Sequence, residues 1–187
     1  MDIKARLRQT LLEGAHKNNK GKSYGCVMVF LGYNKSDWKQ LQDLIDEEDL
    51  YNPKDETGFG REIDPHITIL YGLHDNIQDS DIKKEIDLLK EPKLKLGKVS
   101  SFSNDKFDVL KFDVESKDLH AANKKFCEFP FTSNFPKYHP HCTIAYVKKG
   151  MADKYIAKLN KVAEIDVTSD KIVYSKADGS KKSYKFK

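Results

Sequence analysis

Two histidine–threonine pairs occur in the chain in nearly the same local sequence. Residues 65–71 read PHITILY and residues 140–146 read PHCTIAY, with proline, histidine, threonine, isoleucine and tyrosine at matching positions. Alternate side chains of a β-strand point to the same face. Each copy, taken as a strand, therefore carries an imidazole and a hydroxyl about 6–7 Å apart on one face. The pairs are His66 with Thr68 and His141 with Thr143.

Two facing imidazoles are suited to phosphoryl transfer. One histidine can accept the proton of the nucleophile while the other donates a proton to the leaving oxygen, and both forms of histidine exist near neutral pH. Threonine hydroxyls can donate hydrogen bonds to the non-bridging phosphate oxygens. This chemistry requires no metal or other cofactor, so none is predicted.

The side chains on the two faces of each strand distinguish a functional role of the repeat from a structural one. Strict alternation places Leu70 with the first His–Thr pair and Ala145 with the second, and it places Tyr71 and Tyr146 on the opposite, apolar faces. A single copy of such a motif is usually structural. A structural repeat would mainly preserve the apolar face, whereas here the opposite face recurs as well.

Size and composition are typical of one soluble globular domain. The chain has 187 residues, 39 % of them hydrophobic and 33 % charged, with a net charge of +4 that favours a phosphate-bearing ligand. The three cysteines form no CxxC pair, and neither a membrane span nor a secretory signal is found. These features predict a cytoplasmic protein, in the host cytoplasm if the protein is viral, without a membrane partner.

The predicted secondary structure alternates strands and helices. Residues 1–22 are predicted to form a basic helical extension, and residues 23–187 a single domain. Strands are predicted at 24–30, 65–71, 94–100 and 107–114, with a closing hairpin around Asp178-Gly179. Helices are predicted after Ser36, at 79–90, from Ser116 to about Cys127, and at 151–163. The segment 47–62 is predicted to be a long loop.

The paired PHITILY and PHCTIAY motifs resemble the two H-x-T/S signatures of the two-histidine (2H) phosphoesterase superfamily. The resemblance extends over about residues 24–187. The superfamily includes RNA 2′,3′-cyclic phosphodiesterases, U6 RNA-trimming enzymes, 2′-5′ oligoadenylate phosphodiesterases, and the phage anti-CBASS nucleases that destroy cyclic-oligonucleotide signals.

The resemblance implies an α+β bilobal fold, in which two pseudo-symmetric halves, each with an antiparallel sheet and flanking helices, surround a central cleft. It also implies metal-independent phosphodiester cleavage centred on His66, Thr68, His141 and Thr143. The expected substrate is a nucleotide or short oligonucleotide: a cyclic signal, a 2′-5′ oligomer or a 2′,3′-cyclic phosphate. The resemblance does not say which histidine is the acid, and no protein partner is inferred.

Further residues are candidates for substrate contacts. Aromatic rings can stack on bases, and cationic side chains can approach a phosphate. The candidate aromatic and histidine side chains are Tyr24, Phe59, Phe135, Tyr138, His139 and Tyr174. The candidate cations are Arg61 and Lys176.

Three other functions agree with the same residues. A non-catalytic nucleotide or RNA-binding module would bind in the cleft without turnover. A metallohydrolase would use His139 and His141, with His66 as a third ligand. In a purely structural protein, the repeat would only complete the sheets.

Overall fold

A single antiparallel sheet of seven strands organises the computed structural model, which describes residues 24–54, 58–133, 135, 137–162 and 165–186. The strands are β1 (Gly25–Tyr33), β2 (His66–Leu73), β3 (Lys95–Ser103), β4 (Phe107–Glu115), β5 (His141–Lys148), β6 (Val167–Ser175) and β7 (Lys181–Tyr184). The α-helices are α1 (Lys35–Asp43), α2 (Asp79–Leu88), α3 (Lys117–Phe126) and α4 (Ala152–Leu159), and a 3₁₀ turn spans Glu47–Asp49.

The two motif strands, β2 and β5, are neighbours in the middle of the sheet. The strand order is β3-β4-β5-β2-β1-β6-β7. The fold is therefore α+β, but the predicted sheet in each half is replaced by one continuous sheet. Along their described lengths β2 and β5 are registered at one position, Ile67 opposite Cys142, whereas the β1–β2 and β4–β5 ladders are longer. The sheet is thus joined at its centre by a short contact between the two motifs.

Each motif strand contains a β-bulge at its isoleucine, and the bulges correct the predicted faces. Ile69 is skipped between the pairs Val27–Leu70 and Met28–Thr68, and Ile144 is skipped between Leu110–Ala145 and Lys111–Thr143. An extra residue in one strand reverses the alternation beyond it. Leu70 and Ala145 consequently lie in the main core, whereas Tyr71 and Tyr146 lie with hydrophobic clusters on the other face. The strict alternation predicted for these four residues is wrong.

The main core lies between the sheet and its helices. Ile67 and Ile69 of β2, and Cys142 and Ile144 of β5, are buried in it. Trp38 of α1 is also part of this core and packs against Phe112 of β4. The histidines and threonines of the motifs lie on the opposite side of the sheet, which we call the motif face. The apolar side of each motif strand thus anchors it while the motif face is left for other contacts.

Beyond their short contact, each motif strand pairs with the loop that precedes the other motif. The Tyr51 amide donates to the Tyr146 carbonyl (3.0 Å), and the Tyr146 amide donates to the Gly60 carbonyl (2.8 Å). Likewise, the Thr132 amide donates to the Gly72 carbonyl (2.9 Å). Gly72 has φ of +103°, and a Cβ there would lie 1.9 Å from the Thr132 carbonyl oxygen. Only glycine permits this close approach of the loop.

Amide side chains satisfy the backbone carbonyls at the two bulges. Gln42 of α1 donates from Nε2 to the carbonyls of Ile144 (2.8 Å) and Glu62 (2.7 Å). Asn123 of α3 donates from Nδ2 to the carbonyl of Ile69 (2.7 Å). Buried carbonyls outside a regular ladder need such donors. The helix that follows β1 therefore supports β5, and the helix that follows β4 supports β2.

Local signals in the sequence predicted most element boundaries. Ser116 caps α3 by accepting from the Leu119 amide, and Asp178-Gly179 connects β6 to β7, as predicted. The cap of α1 is Asn34, whose side chain accepts from the Ser36 amide (2.9 Å), so the Ser36 cap is wrong by two residues. The predicted helix at 1–22 lies outside the described residues. Among the described helices none has the length and apolar character needed to span a membrane.

Replacing Gln42 with methionine should destabilise the protein without changing its fold. The Gln42→Met side chain keeps the length but removes one of two donors to each carbonyl, because the Ile144 carbonyl also accepts from the Glu62 amide and the Glu62 carbonyl also accepts from the Trp38 indole. Losing a hydrogen bond of this kind costs about 0.5–1.5 kcal/mol. Urea unfolding monitored by circular dichroism should show this loss in the free energy of unfolding.

Gln40→Met is the matched control, because Gln40 is an exposed residue of the same helix. Its effect should stay within about 0.5 kcal/mol of wild type. Equal stabilities for Gln42→Met and Gln40→Met would contradict a structural role for the Gln42 hydrogen bonds.

Candidate active site

His66 is held in one orientation by its backbone and by a neighbouring ring. Its Nδ1 lies 2.8 Å from the Asp64 carbonyl oxygen, two residues earlier in the chain. The imidazole stacks on Phe30 of β1, with ring centroids 5.4 Å apart and planes inclined by 26°. The residue is only 5 % exposed. Because a carbonyl oxygen can only accept, Nδ1 carries the proton and the lone pair is on Nε2.

His141 repeats this backbone interaction in the second motif. Its Nδ1 lies 2.8 Å from the His139 carbonyl oxygen, again two residues earlier. The imidazole meets the ring of Phe102 of β3 edge to face, with centroids 4.9 Å apart. Because this carbonyl oxygen can also only accept, Nδ1 carries the proton of the neutral ring and the lone pair is on Nε2. Both motifs therefore fix the same tautomer through the residue before the proline.

The register of β2 and β5 brings the two His–Thr pairs together. Continuing the pairing of Ile67 with Cys142 by one residue in either direction sets His66 beside Thr143 and Thr68 beside His141. All four side chains lie on the motif face, around the single registered contact. Thr143 is buried and Thr68 is half-buried. Two imidazoles and two hydroxyls thus surround a position between the strands where a phosphate could lie.

A buried lysine beside the second motif was not predicted from the sequence. Lys111 is 4 % exposed and pairs with Thr143 across the β4–β5 ladder. Its Nζ forms an ion pair with Asp113, donates to the Ser100 hydroxyl (2.7 Å) and lies 4.2 Å from the centroid of Phe102. The available signal was a lysine between Leu110 and Phe112 in an otherwise apolar strand. The alternation of side chains along β4 correctly predicts that Lys111 lies on the motif face, but it gives no reason to expect that the side chain is buried.

Three of the other predicted residues remain accessible. Tyr24 is half-buried at the start of β1, where its ring contacts those of Tyr71 (6.1 Å) and His74 (5.9 Å). Phe135 is 55 % exposed on the loop before β5, and His139 is exposed immediately before the motif. These three positions remain candidates for substrate contacts.

Two predicted aromatic contacts are corrected by burial. Phe59 packs into a cluster with Phe107 and Tyr146, at centroid distances of 5.1 Å from each. Tyr174 is 2 % exposed in the main core, where burial also raises the pKa of its hydroxyl. Neither ring is available for stacking on a base.

Tyr138 supports the first motif through its backbone. Its hydroxyl donates to the carbonyl of Thr68 (2.9 Å), and its ring meets His120 of α3 at 5.3 Å. Burial raises the pKa of the Tyr138 hydroxyl, which therefore stays protonated as a donor. The structure assigns the ring to the packing of the loop, in place of the predicted substrate contact.

The two predicted phosphate-binding cations have internal partners. Arg61 donates to the carbonyls of Gln42 (3.2 Å) and Ile45 (2.7 Å) at the end of α1 and pairs with Glu47. Lys176 lies 3.1 Å from an oxygen of Asp79, at the start of α2. Arg61 attaches the 47–62 loop to its helix, and Lys176 attaches the closing hairpin to α2. Phosphate binding by these two partly exposed side chains stays a prediction.

The metal-site alternative has little support in the described part of the chain. Within those residues no three histidine, cysteine, aspartate or glutamate side chains are grouped so as to hold a metal ion. His139 is exposed, and its backbone carbonyl serves as the acceptor for His141.

Solved structures show the fold of this chain, and a family model shows its family. Two structures of Usb1 from Kluyveromyces marxianus, one of them with uridine monophosphate, cover 88 % of this chain and 99 % of their own chains. Both have a TM-score of 0.52, with sequence identities of 12 % and 10 %, which indicates a shared fold. No curated protein matches the sequence. The model of the family described as anti-CBASS protein Acb1 matches residues 64–178, more than half of the chain and both His–Thr motifs. The chain therefore belongs to the anti-CBASS protein Acb1 family.

Proposed function

We propose that the protein is a phosphodiesterase that cleaves a nucleotide or oligonucleotide by acid/base catalysis with His66 and His141. The convergence of two His–Thr pairs on the motif face at the β2–β5 contact carries this proposal. Family membership and the shared fold with Usb1 support it. The metal-independent mechanism and the identity of the substrate are parts of the proposal.

The reaction needs two proton transfers, and the tautomers suit both. With Nδ1 bonded to a backbone carbonyl, each histidine exchanges protons through Nε2. One neutral imidazole accepts the proton of the attacking hydroxyl or water, and one protonated imidazole donates to the leaving oxygen. Thr68 and Thr143 donate to the non-bridging oxygens, where negative charge develops.

A pseudo-two-fold relation between two halves would explain the arrangement. The element order βαβαβ occurs twice, as β1-α1-β2-α2-β3 and β4-α3-β5-α4-β6. Without β7, which has no counterpart, the strand order reads the same from either side when β1, β2 and β3 are exchanged with β4, β5 and β6. Corresponding bulges at Ile69 and Ile144 support the same relation. We propose that this relation gives both histidines equivalent access to one phosphate.

The family indicates the class of substrate. The 2H superfamily that the motifs resemble includes phage anti-CBASS nucleases that destroy cyclic-oligonucleotide signals, and this chain belongs to an anti-CBASS family. A structure of Usb1 contains uridine monophosphate. We therefore propose a cyclic oligonucleotide as the first substrate to test, with Tyr24, Phe135 and His139 as candidate contacts to its bases.

Replacing either histidine with alanine should lower kcat by about 10²–10⁴-fold, because each removes one proton transfer. Steady-state kinetics of His66→Ala and His141→Ala would measure this. The double variant should be little worse than the single variants, since residues that act as a unit are non-additive. Lys124→Ala, at an exposed position of α3, is the control and should retain activity. Full activity in both single variants would exclude the proposed catalytic pair.

Removing the threonine hydroxyls should lower kcat more than it weakens substrate binding. Thr68→Val and Thr143→Val each remove one donor to the transition state, which costs about 10²–10³-fold in kcat at comparable sites. Thr68→Ser and Thr143→Ser retain a hydroxyl and should keep most of the activity. If valine and serine variants behaved alike, the hydroxyls would not be the functional groups.

A substrate panel separates turnover from simple binding. The panel contains cyclic di- and trinucleotides, 2′-5′ oligomers and 2′,3′-cyclic phosphates, and mass spectrometry identifies the products. We expect turnover of at least one member, with the same rate in EDTA. A product ending in a cyclic phosphate would identify a 2′-hydroxyl as the nucleophile. Binding without turnover would favour the non-catalytic module, and inhibition by EDTA would favour a metallohydrolase.

A further inference from the structure

The two histidines have the same backbone geometry but different cross-strand neighbours. In the β4–β5 ladder the residue opposite His141 is Asp113. In the β1–β2 ladder the residue opposite His66 is Phe30. Directly opposed side chains on one face have Cβ atoms about 4.5–5.5 Å apart. A carboxylate therefore lies beside one imidazole at the position where the other imidazole has a phenyl ring.

Asp113 is held in place by its strand neighbours. Lys111, two residues earlier in β4, forms an ion pair with it. The Ser100 hydroxyl of β3 lies 3.0 Å from both carboxylate oxygens. Phe102 contacts both Lys111 and His141, and the Asp113 side chain is 54 % exposed. The carboxylate is thus fixed in position beside the second motif.

Asp113 is ionised at neutral pH. Burial by itself would raise the pKa of its carboxyl, but the hydrogen bonds from Lys111 and Ser100 and the nearby positive charges leave this pKa below its usual value. The charge of His141 is one of these contributions. A fixed carboxylate stabilises the protonated form of a neighbouring imidazole.

The surroundings of His66 are different. The buried imidazole of His66 lies against the ring of Phe30. A cation, Lys171 of β6, lies 5.6 Å from the centroid of the Phe30 ring. Lys171 is partnered by Asp170. The carboxylate of Asp64, before the motif, is exposed like that of Asp113, but it lies outside the β1–β2 ladder. The ladder position opposite His66 therefore holds an uncharged ring, whereas the position opposite His141 holds a carboxylate.

Other charged or titratable groups also face the second motif. They are His66 from β2, Lys111 from β4, the exposed Lys98 of β3, and His139 from the preceding loop. The positive charge of Lys111 opposes the effect of Asp113 on His141. The Lys111 ammonium forms the ion pair with Asp113 and lies over the ring of Phe102. The carboxylate is the member of the ion pair that lies directly opposite His141.

We infer that the proton transfers have a fixed direction, with His66 as the general base and His141 as the general acid, and that Asp113 is the positioning residue that sets this direction. The inference rests on the proposed function and assigns roles within the same site. Nε2 of His66 accepts the proton of the attacking hydroxyl as its oxygen bonds to phosphorus. The bond from phosphorus to the leaving oxygen breaks as Nε2 of His141 donates a proton to that oxygen. After the reaction His66 is protonated and His141 is neutral, so the total number of protons on the two histidines is unchanged.

The pH–rate profile tests the role of Asp113, with 3′,5′-linked cyclic di-AMP as the probe. In Asp113→Asn the basic limb of the profile should move to lower pH by about half a unit to one unit, because the acid loses its carboxylate. The acidic limb should not move. Lys111→Met keeps the packing under Phe102 but removes the opposing charge, so its basic limb should move to higher pH.

Asp153→Asn, an exposed change in the first turn of α4, is the matched control and should leave both limbs unchanged. Thermal unfolding confirms that each variant is folded. A purely structural role for Asp113 predicts a uniform loss of rate at every pH, and that result would overturn the inference. A shift of the acidic limb alone would overturn it as well, because it would assign His141 as the base.

A sulfur leaving group tests the direction independently. In the cyclic di-AMP analogue with one bridging 5′-sulfur, the leaving thiolate needs no proton. His141→Ala should regain at least tenfold of its lost activity on this analogue, whereas His66→Ala should regain none. Recovery by His66→Ala alone would reverse the roles, and recovery by neither would remove the assignment. If wild type turned over the probe, the proposed function would still stand even where the assignment of acid and base failed. If no panel member were turned over, both the proposed function and the assignment would be overturned.

Discussion

The single contact between β2 and β5 is the constraint on which the rest of the structure depends. Pairing Ile67 with Cys142 sets the two motifs side by side, and the strands have no further registered pairs along their described lengths. A longer ladder would fill the space between the motifs with backbone hydrogen bonds and adjacent side chains. A missing contact would separate the histidines into two unrelated sheets.

A ladder that ends in the middle of a sheet leaves backbone groups without strand partners. Loops and helices from several parts of the chain supply hydrogen-bond partners for these groups. Segments near Tyr51 and Gly60 hydrogen-bond to β5, and the segment near Thr132 hydrogen-bonds to β2. Gln42 and Asn123 donate to the carbonyls at the two bulges. Each donor is remote in sequence from the carbonyl it satisfies. These segments cannot separate without exposing polar groups, so the site and the core are stabilised together.

The repeat duplicates the backbone more closely than the side chains around it. Both histidines donate from Nδ1 to a carbonyl two residues earlier, which fixes their tautomers equally. Phe30 opposite His66 and Asp113 opposite His141 then make their electrostatic surroundings unequal. The proposed reaction uses one histidine as the acid and the other as the base, and such a difference would favour one assignment of the two roles.

The sequence by itself determined the features that depend on residue type and short-range spacing. The two motifs predicted the four central residues, and the serine before α3 and the Asp178-Gly179 turn predicted local boundaries. Bulges at Ile69 and Ile144 were not predictable, because they are features of the register between each motif strand and its neighbouring strand. Only the tertiary structure decided that Phe59 and Tyr174 are buried, that Arg61 binds the end of a helix, and that Lys111 forms a buried ion pair. The physical reason is that each of these outcomes depends on contacts between segments far apart in the chain, which local periodicity does not record.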